Sequence, residues 1–381
     1  MTQNYSHANH RNSEQKKVLE YLILCGEKNI NQVNIDSLKN ELCNLTPTKN
    51  NPMYNSHMYW SQKAFNICDS LIDALSNRGD VVFDPFLGSG VTTLEAIKSD
   101  LSRCAIGCDI NDMPLFISKL LLSINATPNI KNTLEKFIQE LNSLEHYYET
   151  TCPKCNTVGT ISKVIFDKPE RTGSNITIKA INYSCSCTKK GVKSPDKTDY
   201  TKLKATRKLK NVTSTSLLYN SKIAVTENDD IKNIFTGRNI SVLDDILSLI
   251  SKYEPEYQNI LKYILMSILH LCKITDKHSN SQWPLWIPKT DCVEKNIIDI
   301  YTKKIRKFYK VIPFMKENYA NSQIVESYDM LSPGKCLLMQ KGSQLITEQD
   351  IPNDGVDLII TDPPYLEQVL YSEYMQLYKP F

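Results

Sequence analysis

Long apolar runs are missing from these 381 residues, and no stretch reaches the length of a membrane span. The opening MTQNYSHANHRNSEQKK likewise has no apolar segment of a secretory leader, so the chain is expected in the cytoplasm. No internal repeat is present. No Gly-Lys-Ser/Thr follows the Gly-rich turn described below, which excludes the lysine-bearing phosphate loop of NTPases. Net charge is only +3. With 41% hydrophobic and 23% charged residues, the composition is that of an ordinary globular protein of two or three domains, large enough to fold without disulfides. Eight of the twelve cysteines (Cys25, Cys43, Cys68, Cys104, Cys108, Cys272, Cys292 and Cys336) are scattered singly, as buried thiols are in a reducing compartment.

Residues 1–50 are Asn- and Lys-rich with one amphipathic helix predicted at Ser13–Leu24, and the tract Thr46–Pro52 reads as a linker. Apolar spacing then predicts a helix over Ser61–Asn77 and a strand at Val81-Val82-Phe83. The Gly-rich turn Asp84–Thr93 follows, then a helix at Leu94–Lys98 and a strand at Cys104–Ile110. This is a βαβ unit. Helices are expected from about Pro114 to Glu149 and again from Ser241, with a break at Pro255. Strand-like runs return at Cys336–Met339 and Val356–Ile360. An α/β core is therefore interrupted, with two strands before residue 111, two after 335 and more than two hundred residues between.

Charge and cysteine concentrate inside that interruption. Thr188–Lys210 carries eight Lys and one Arg against two Asp, a stretch that either attracts phosphates or is a solvated loop. Cys152-Pro153-Lys154-Cys155 and Cys185-Ser186-Cys187 form two close pairs about thirty residues apart. They can supply four thiolates to a structural zinc ion whose shell is then closed, the alternative being reduced surface cysteines.

Two strand ends carry the remaining chemistry. In Asp84-Pro85-Phe86-Leu87-Gly88-Ser89-Gly90-Val91-Thr92-Thr93 the glycines admit close approach of a ligand, and the next helix offers free N–H groups to an anionic group such as a carboxylate. Asp109, nineteen residues after Gly90, ends the following strand, where a carboxylate can accept from both ribose hydroxyls; a nicotinamide cofactor would fit this much equally well. At the other end, Asp362-Pro363-Pro364-Tyr365 closes an apolar strand. Its prolines hold the Asp362 carboxylate and the Pro363 carbonyl as paired acceptors for an exocyclic amine, with Tyr365 placed to stack on the ring. The bland reading is a proline turn.

Together these motifs resemble the amino-methyltransferases of DNA, which use S-adenosylmethionine to methylate adenine N6 or cytosine N4. Asp84-Pro85-Phe86, Gly88-Ser89-Gly90 and Thr92-Thr93 match that family's cofactor loop and Asp362-Pro363-Pro364-Tyr365 its catalytic motif, while Asn55–Lys63 corresponds more loosely to the segment beside the cofactor's methionine end. The cysteine pairs narrow the likeness to large bacterial and archaeal DNA methylases that contain a zinc ribbon. Further matches are Phe235-Thr236-Gly237-Arg238-Asn239, Trp283-Pro284-Leu285-Trp286-Ile287-Pro288, Cys292-Val293-Glu294-Lys295-Asn296 and Tyr371-Ser372-Glu373-Tyr374. By pattern alone Trp283 and Trp286 are a core or interface pair as readily as a DNA contact.

The resemblance implies a Rossmann-like methyltransferase core interrupted by a zinc ribbon and a helical insertion that contact DNA. The divisions expected are an N-terminal extension 1–50, core 51–125, ribbon and basic stretch 126–215, helical insertion 216–330 and core 331–381. Asp109 would hold the cofactor's ribose, and Asp362 with Pro363 the amine of a flipped-out base. C5-cytosine methylation is excluded because its nucleophile is usually a Cys preceded by Pro, and no Pro-Cys dipeptide occurs. A non-catalytic DNA-binding half of a split methylase and an RNA or small-molecule methyltransferase stay open as alternatives. The family's sheet has seven strands and four are found, so the last strands are expected to be missing, supplied by a second polypeptide or by further sequence, or lacking altogether.

Overall fold

The computed structural model describes residues 35–167, 177–204, 207–217, 230–276, 291–364 and 371–381. The helix expected at Ser13–Leu24, Trp283–Pro288 and Tyr365 lie outside the described residues. The chain divides into two compact units, the first containing Tyr59–Ala126 with Val311–Val369 and the second Thr127–Lys310 with Leu370–Phe381. No helix among the described residues is long and apolar enough to cross a membrane.

The first unit opens with β1 (Val81–Asp84), whose four residues are all buried, and β2 (Cys104–Asp109), buried until its last residue. Such runs suit a parallel sheet covered on both faces. After the chain has made the second unit it returns for β9 (Gln323–Val325), β10 (Lys335–Gln340) and β11 (Leu358–Ile359). The five strands are parallel in the order β11-β1-β2-β10-β9, with Phe83 opposite Ile359 and Leu337 opposite Ile106. On one face Val81, Phe83, Ile106, Cys108, Val325 and Leu337 form a buried cluster. The wholly buried helix Val91–Ile97 connects β1 to β2.

Three features depart from the sequence reading. Gln323–Val325 is a fifth strand that carries no apolar run, because two of its three residues are exposed. Val356–Ile360 yields a two-residue ladder, although the N–H groups of Asp357 and Ile360 still donate to Val81 (3.0 Å) and Phe83 (3.2 Å). Thr46–Pro52 is not a loose linker: the Asn66 side chain receives the Thr48 N–H at 3.0 Å and donates to the Thr46 carbonyl at 2.9 Å, and Asn51 is buried.

The second unit holds an antiparallel sheet made of β3 (Glu149–Thr151), β4 (Val158–Phe166), β5 (Ile178–Cys185), β6 (Thr188–Lys193), β7 (Thr275–Asp276) and β8 (Cys292–Lys295). Its order is β6-β5-β4-β8-β7, with β3 paired to β4. Residues expected as separate ribbon and helical insertions therefore share one sheet, since β7 and β8 extend the edge of β4. Within the stretch Thr188–Lys210 lie the edge strand β6 and the helix Lys197–Lys204. Part of its charge is paired internally. Lys193 lies 2.8 Å from both Asp196 and Asp199, and Arg207 bonds Asp244 at 2.9 Å and also Asp245.

Helices Gly237–Ile250 and Ile297–Phe308 are capped by Thr236 and Asn296, whose side-chain oxygens accept the N–H of Asn239 (3.1 Å) and Asp299 (3.2 Å). The first is tied to β8 through a fully buried Arg238, which donates two hydrogen bonds to Glu294 and lies 5.2 Å from the Tyr148 ring centre. Thr236 adds a hydroxyl to the same carboxylate at 2.6 Å. Glu294 raises Arg238 above its ordinary value in spite of burial. The segments 235–239 and 292–296 thus face each other to hold the unit together. Arg238→Ala should destabilise it by about 3–5 kcal/mol because Glu294 is left buried and unpaired. Denaturant unfolding measures this, and the double change Arg238→Met with Glu294→Leu should cost less.

Candidate functional site

Asp84 ends β1 fully buried, and its position follows from what it holds. One carboxylate oxygen accepts the Phe86 N–H (3.1 Å) and the Thr361 hydroxyl (2.9 Å), and the other takes the Lys63 ammonium at 3.1 Å. A buried carboxylate needs such partners. Burial alone would lower Lys63, but Asp84, helped by smaller pulls from Cys68 and Asp362, holds it above its ordinary value. One group thus clamps the Gly-rich turn to the residue preceding Asp362. In the sheet order β1 lies between β11 and β2, so the two motif-bearing tips are adjacent at the carboxyl ends of parallel strands, the usual ligand-binding edge.

Gly88 and Gly90 both have positive φ, +53° and +76°. A Cβ on Gly90 would stand 2.4 Å from the Ser118 hydroxyl, which would have to turn away, and at this φ a side chain is strained in any case. The turn is closed by Leu87 N–H to the Cys108 carbonyl (2.8 Å) and by Gly88 N–H to Asp109 (3.1 Å). Asp109 also accepts the Asn111 N–H at 2.9 Å. Burial outweighs these bonds and raises its carboxyl above the usual range.

The residues singled out in the cofactor loop divide into two sets. Asp84, Ser89, Gly90, Thr92 and Thr93 are buried, and Thr93 returns its hydroxyl to the Gly90 carbonyl at 3.0 Å, so these residues build the turn itself. Pro85, Phe86, Gly88 and Asp109 are half-buried at its surface. At the β11 tip Asp362 and Pro363 are half-buried and Pro364 exposed. Sequence reasoning missed Thr361 and the particular role of Lys63. It also missed Ile110, a 70% exposed apolar side chain directly after Asp109. An apolar residue following a strand-end carboxylate was its available signal.

The second unit contains a separate cluster. The β3–β4 and β5–β6 turns bring Cys152, Cys155, Cys185 and Cys187 together, their sulfurs all within 4.8 Å of one another. Three of the pairs stand 3.6, 3.9 and 3.3 Å apart. The Lys154 N–H points at the Cys152 sulfur (3.4 Å) and the left-handed Asn156 closes the knuckle. The Tyr183 hydroxyl, followed by the N–H groups of Cys155 and Lys154, pushes the Cys152 thiol down to about 5. Crowding by Cys185, Cys155 and Cys152 pushes Cys187 up to about 12.

Comparison with known proteins points to methyltransferases of DNA. Residues 2–118 match the family described as DNA methylase, and residues 65–240 match the D12 class N6 adenine-specific DNA methyltransferases. The type II methyltransferase M.HpaI of Haemophilus parainfluenzae is 47% identical over 51 residues, 13% of this chain and 16% of that protein. The match therefore spans less than a fifth of that relative's length. No solved structure matches. The two family matches, with the Gly-rich turn, the strand-end carboxylate and the Asp-Pro-Pro tip on one sheet edge, support an adenine/cytosine amino-methyltransferase family for this chain.

Proposed function

We propose that the protein methylates an exocyclic amine of a flipped-out DNA base, adenine N6 in preference to cytosine N4, using S-adenosylmethionine. The observation that carries this reading is the Asp84 carboxylate shared by Phe86 of the Gly-rich turn and Thr361 beside Asp362. The surface of the turn fits the cofactor. Asp109 offers a carboxylate for ribose hydroxyls, and the exposed Ile110 and half-buried Phe86 offer apolar surface for a purine. Bound there, S-adenosylmethionine supplies an electrophilic methyl group. Asp362 and the Pro363 carbonyl accept hydrogen bonds from the two amine N–H groups, which holds the nitrogen out of conjugation with its ring and aims its lone pair. Asp362 then takes the proton that the alkylated nitrogen sheds, so no covalent enzyme intermediate is needed.

Asp362→Ala should abolish methyl transfer to DNA while cofactor affinity stays within a few-fold, because that side chain acts on the amine. Loss of an acceptor at a nitrogen developing charge costs on the order of 3 kcal/mol of barrier or more. Labelled methyl transfer and calorimetric titration of S-adenosylmethionine measure the two quantities, and near-wild-type turnover would overturn the mechanism.

The cysteine cluster fits a structural zinc held by Cys152, Cys155, Cys185 and Cys187. The sulfurs stand near the roughly 3.8 Å edge of a tetrahedron with Zn–S of about 2.3 Å. Metal analysis should find about one zinc per chain, lost in Cys152→Ser or Cys185→Ser with local unfolding of the β3–β6 strands. A folded, metal-free wild-type protein would leave the four as plain thiols.

A second polypeptide is proposed to pair along β11. The outer edge of that strand has no neighbour among the described residues, and Ile359 is 37% exposed there. Light scattering of the purified chain should show association that Ile359→Lys reduces. A monomer at all concentrations would remove the case for this contact.

A further inference from the structure

The two cysteine turns of the second unit are linked by a side chain that is not one of the four thiols. Cys152 is fully buried, whereas Cys155 and Cys185 are half-buried and Cys187 is exposed. Water can therefore hydrogen-bond the outer sulfurs but does not reach Cys152. A buried thiolate needs donors from the protein instead. Cys152 has two of them: the Lys154 N–H at 3.4 Å and the Tyr183 hydroxyl at 3.2 Å. A sulfur that binds a metal carries no proton, so in the second pair the phenol is the donor. Hydrogen bonds to an ionised acceptor are the stronger kind.

The sheet makes room for that phenol. Tyr183 of β5 stands opposite Gly191 of the edge strand β6 and Ile161 of β4. A Cβ on Gly191 would come within 2.5 Å of the ring Cζ and 3.0 Å of the hydroxyl oxygen. On β4, a Cβ on Gly159 would stand 3.1 Å from the ring Cδ2 and 2.8 Å from the Ser184 carbonyl. Neither glycine has a positive φ, so no turn geometry calls for them. Within a strand glycine forfeits packing and conformational entropy, and close approach of another group is a common reason for it. Here that group is the Tyr183 ring, which is 3% exposed between the two glycines with its hydroxyl on the sulfur. Cys185 follows two residues later on the same strand. One residue therefore ties the strand that bears the second cysteine pair to the first cysteine of the other pair.

We propose that Tyr183 is a positioning residue of the metal centre, donating a hydrogen bond to the metal-bound Cys152 sulfur and so holding that ligand on the ion. This rests on the zinc reading above. Four thiolates around one divalent cation leave net negative charge, and the phenol O–H offsets part of it at the one sulfur that water does not solvate. Cys152 then leaves the ion less readily as a thiol. Partners of this kind are worth about 10–100-fold in metal affinity.

The test uses full-length protein loaded with cobalt(II) or with zinc. Tyr183→Phe removes the hydroxyl and keeps the ring, so the space between the glycines stays filled. Tyr147→Phe, which removes a hydroxyl bonded to Asp245, is the control. In the cobalt form, the sulfur-to-metal charge-transfer bands of Tyr183→Phe should move to longer wavelength, because a sulfur without that hydrogen bond gives up charge more easily. Zinc should pass to a chelator about ten-fold faster than from the wild type. The control should match the wild type in both measurements. Gly191→Ala keeps the hydroxyl but crowds the ring off the sulfur, so it should shift the bands in the same direction. Unchanged bands in Tyr183→Phe overturn the proposal even where zinc is lost faster, since the tyrosine would then act by packing alone. A wild-type protein that takes up neither metal fails the zinc reading itself, and this proposal with it.

Discussion

A single buried carboxylate organises the reacting end of the parallel sheet. Asp84 is removed from water, and Lys63, the Phe86 N–H and the Thr361 hydroxyl take the place of its hydration. Each partner comes from a different segment: one just before the helix Phe65–Leu75, one from the Gly-rich turn and one from the strand that leads to Asp362. Residues 277 positions apart in sequence are thereby held by one hydrogen bond. The register of β1 against β11 sets the backbone, and Asp84 sets the side chains above it.

How much of this was legible depended on how local each signal was. The βαβ unit could be read because Val81-Val82-Phe83, the glycines and Asp109 lie within thirty residues and alternate between strand and helix patterns. The cysteine cluster could be read for the same reason, since knuckle spacing is a property of neighbouring residues. The strand Gln323–Val325 was invisible because three residues at a sheet edge, two of them exposed, have no periodicity to detect. Lys63 lay inside a segment already matched to the family, yet its ion pair with Asp84 exists only after residues 63 and 84 are folded together. For Thr46–Pro52, polar and proline-rich composition suggested a linker, while the structure ties it down through one Asn66 amide that composition cannot reveal.

In the second unit, charge was easier to read than its use. The basic run was evident, but pairing of Lys193 and Arg207 with buried acids turns part of it inward as architecture. Likewise the segments around Arg238 and Glu294 matched family motifs without showing that each exists to complete the other.

The interrupted sheet also has a consequence for synthesis on the ribosome. Strands β1 and β2 emerge early, yet their outer neighbours β11 and β10 follow only after the whole of Thr127–Lys310 has been made. At about 5–20 residues per second, an apolar two-strand ribbon waits on the order of ten seconds or longer for its flanks. During that wait the intervening unit can complete its own sheet, since all its strands lie between residues 149 and 295. The sheet in the middle can thus close before the one that was begun first, although the second unit as a whole still waits for Leu370–Phe381.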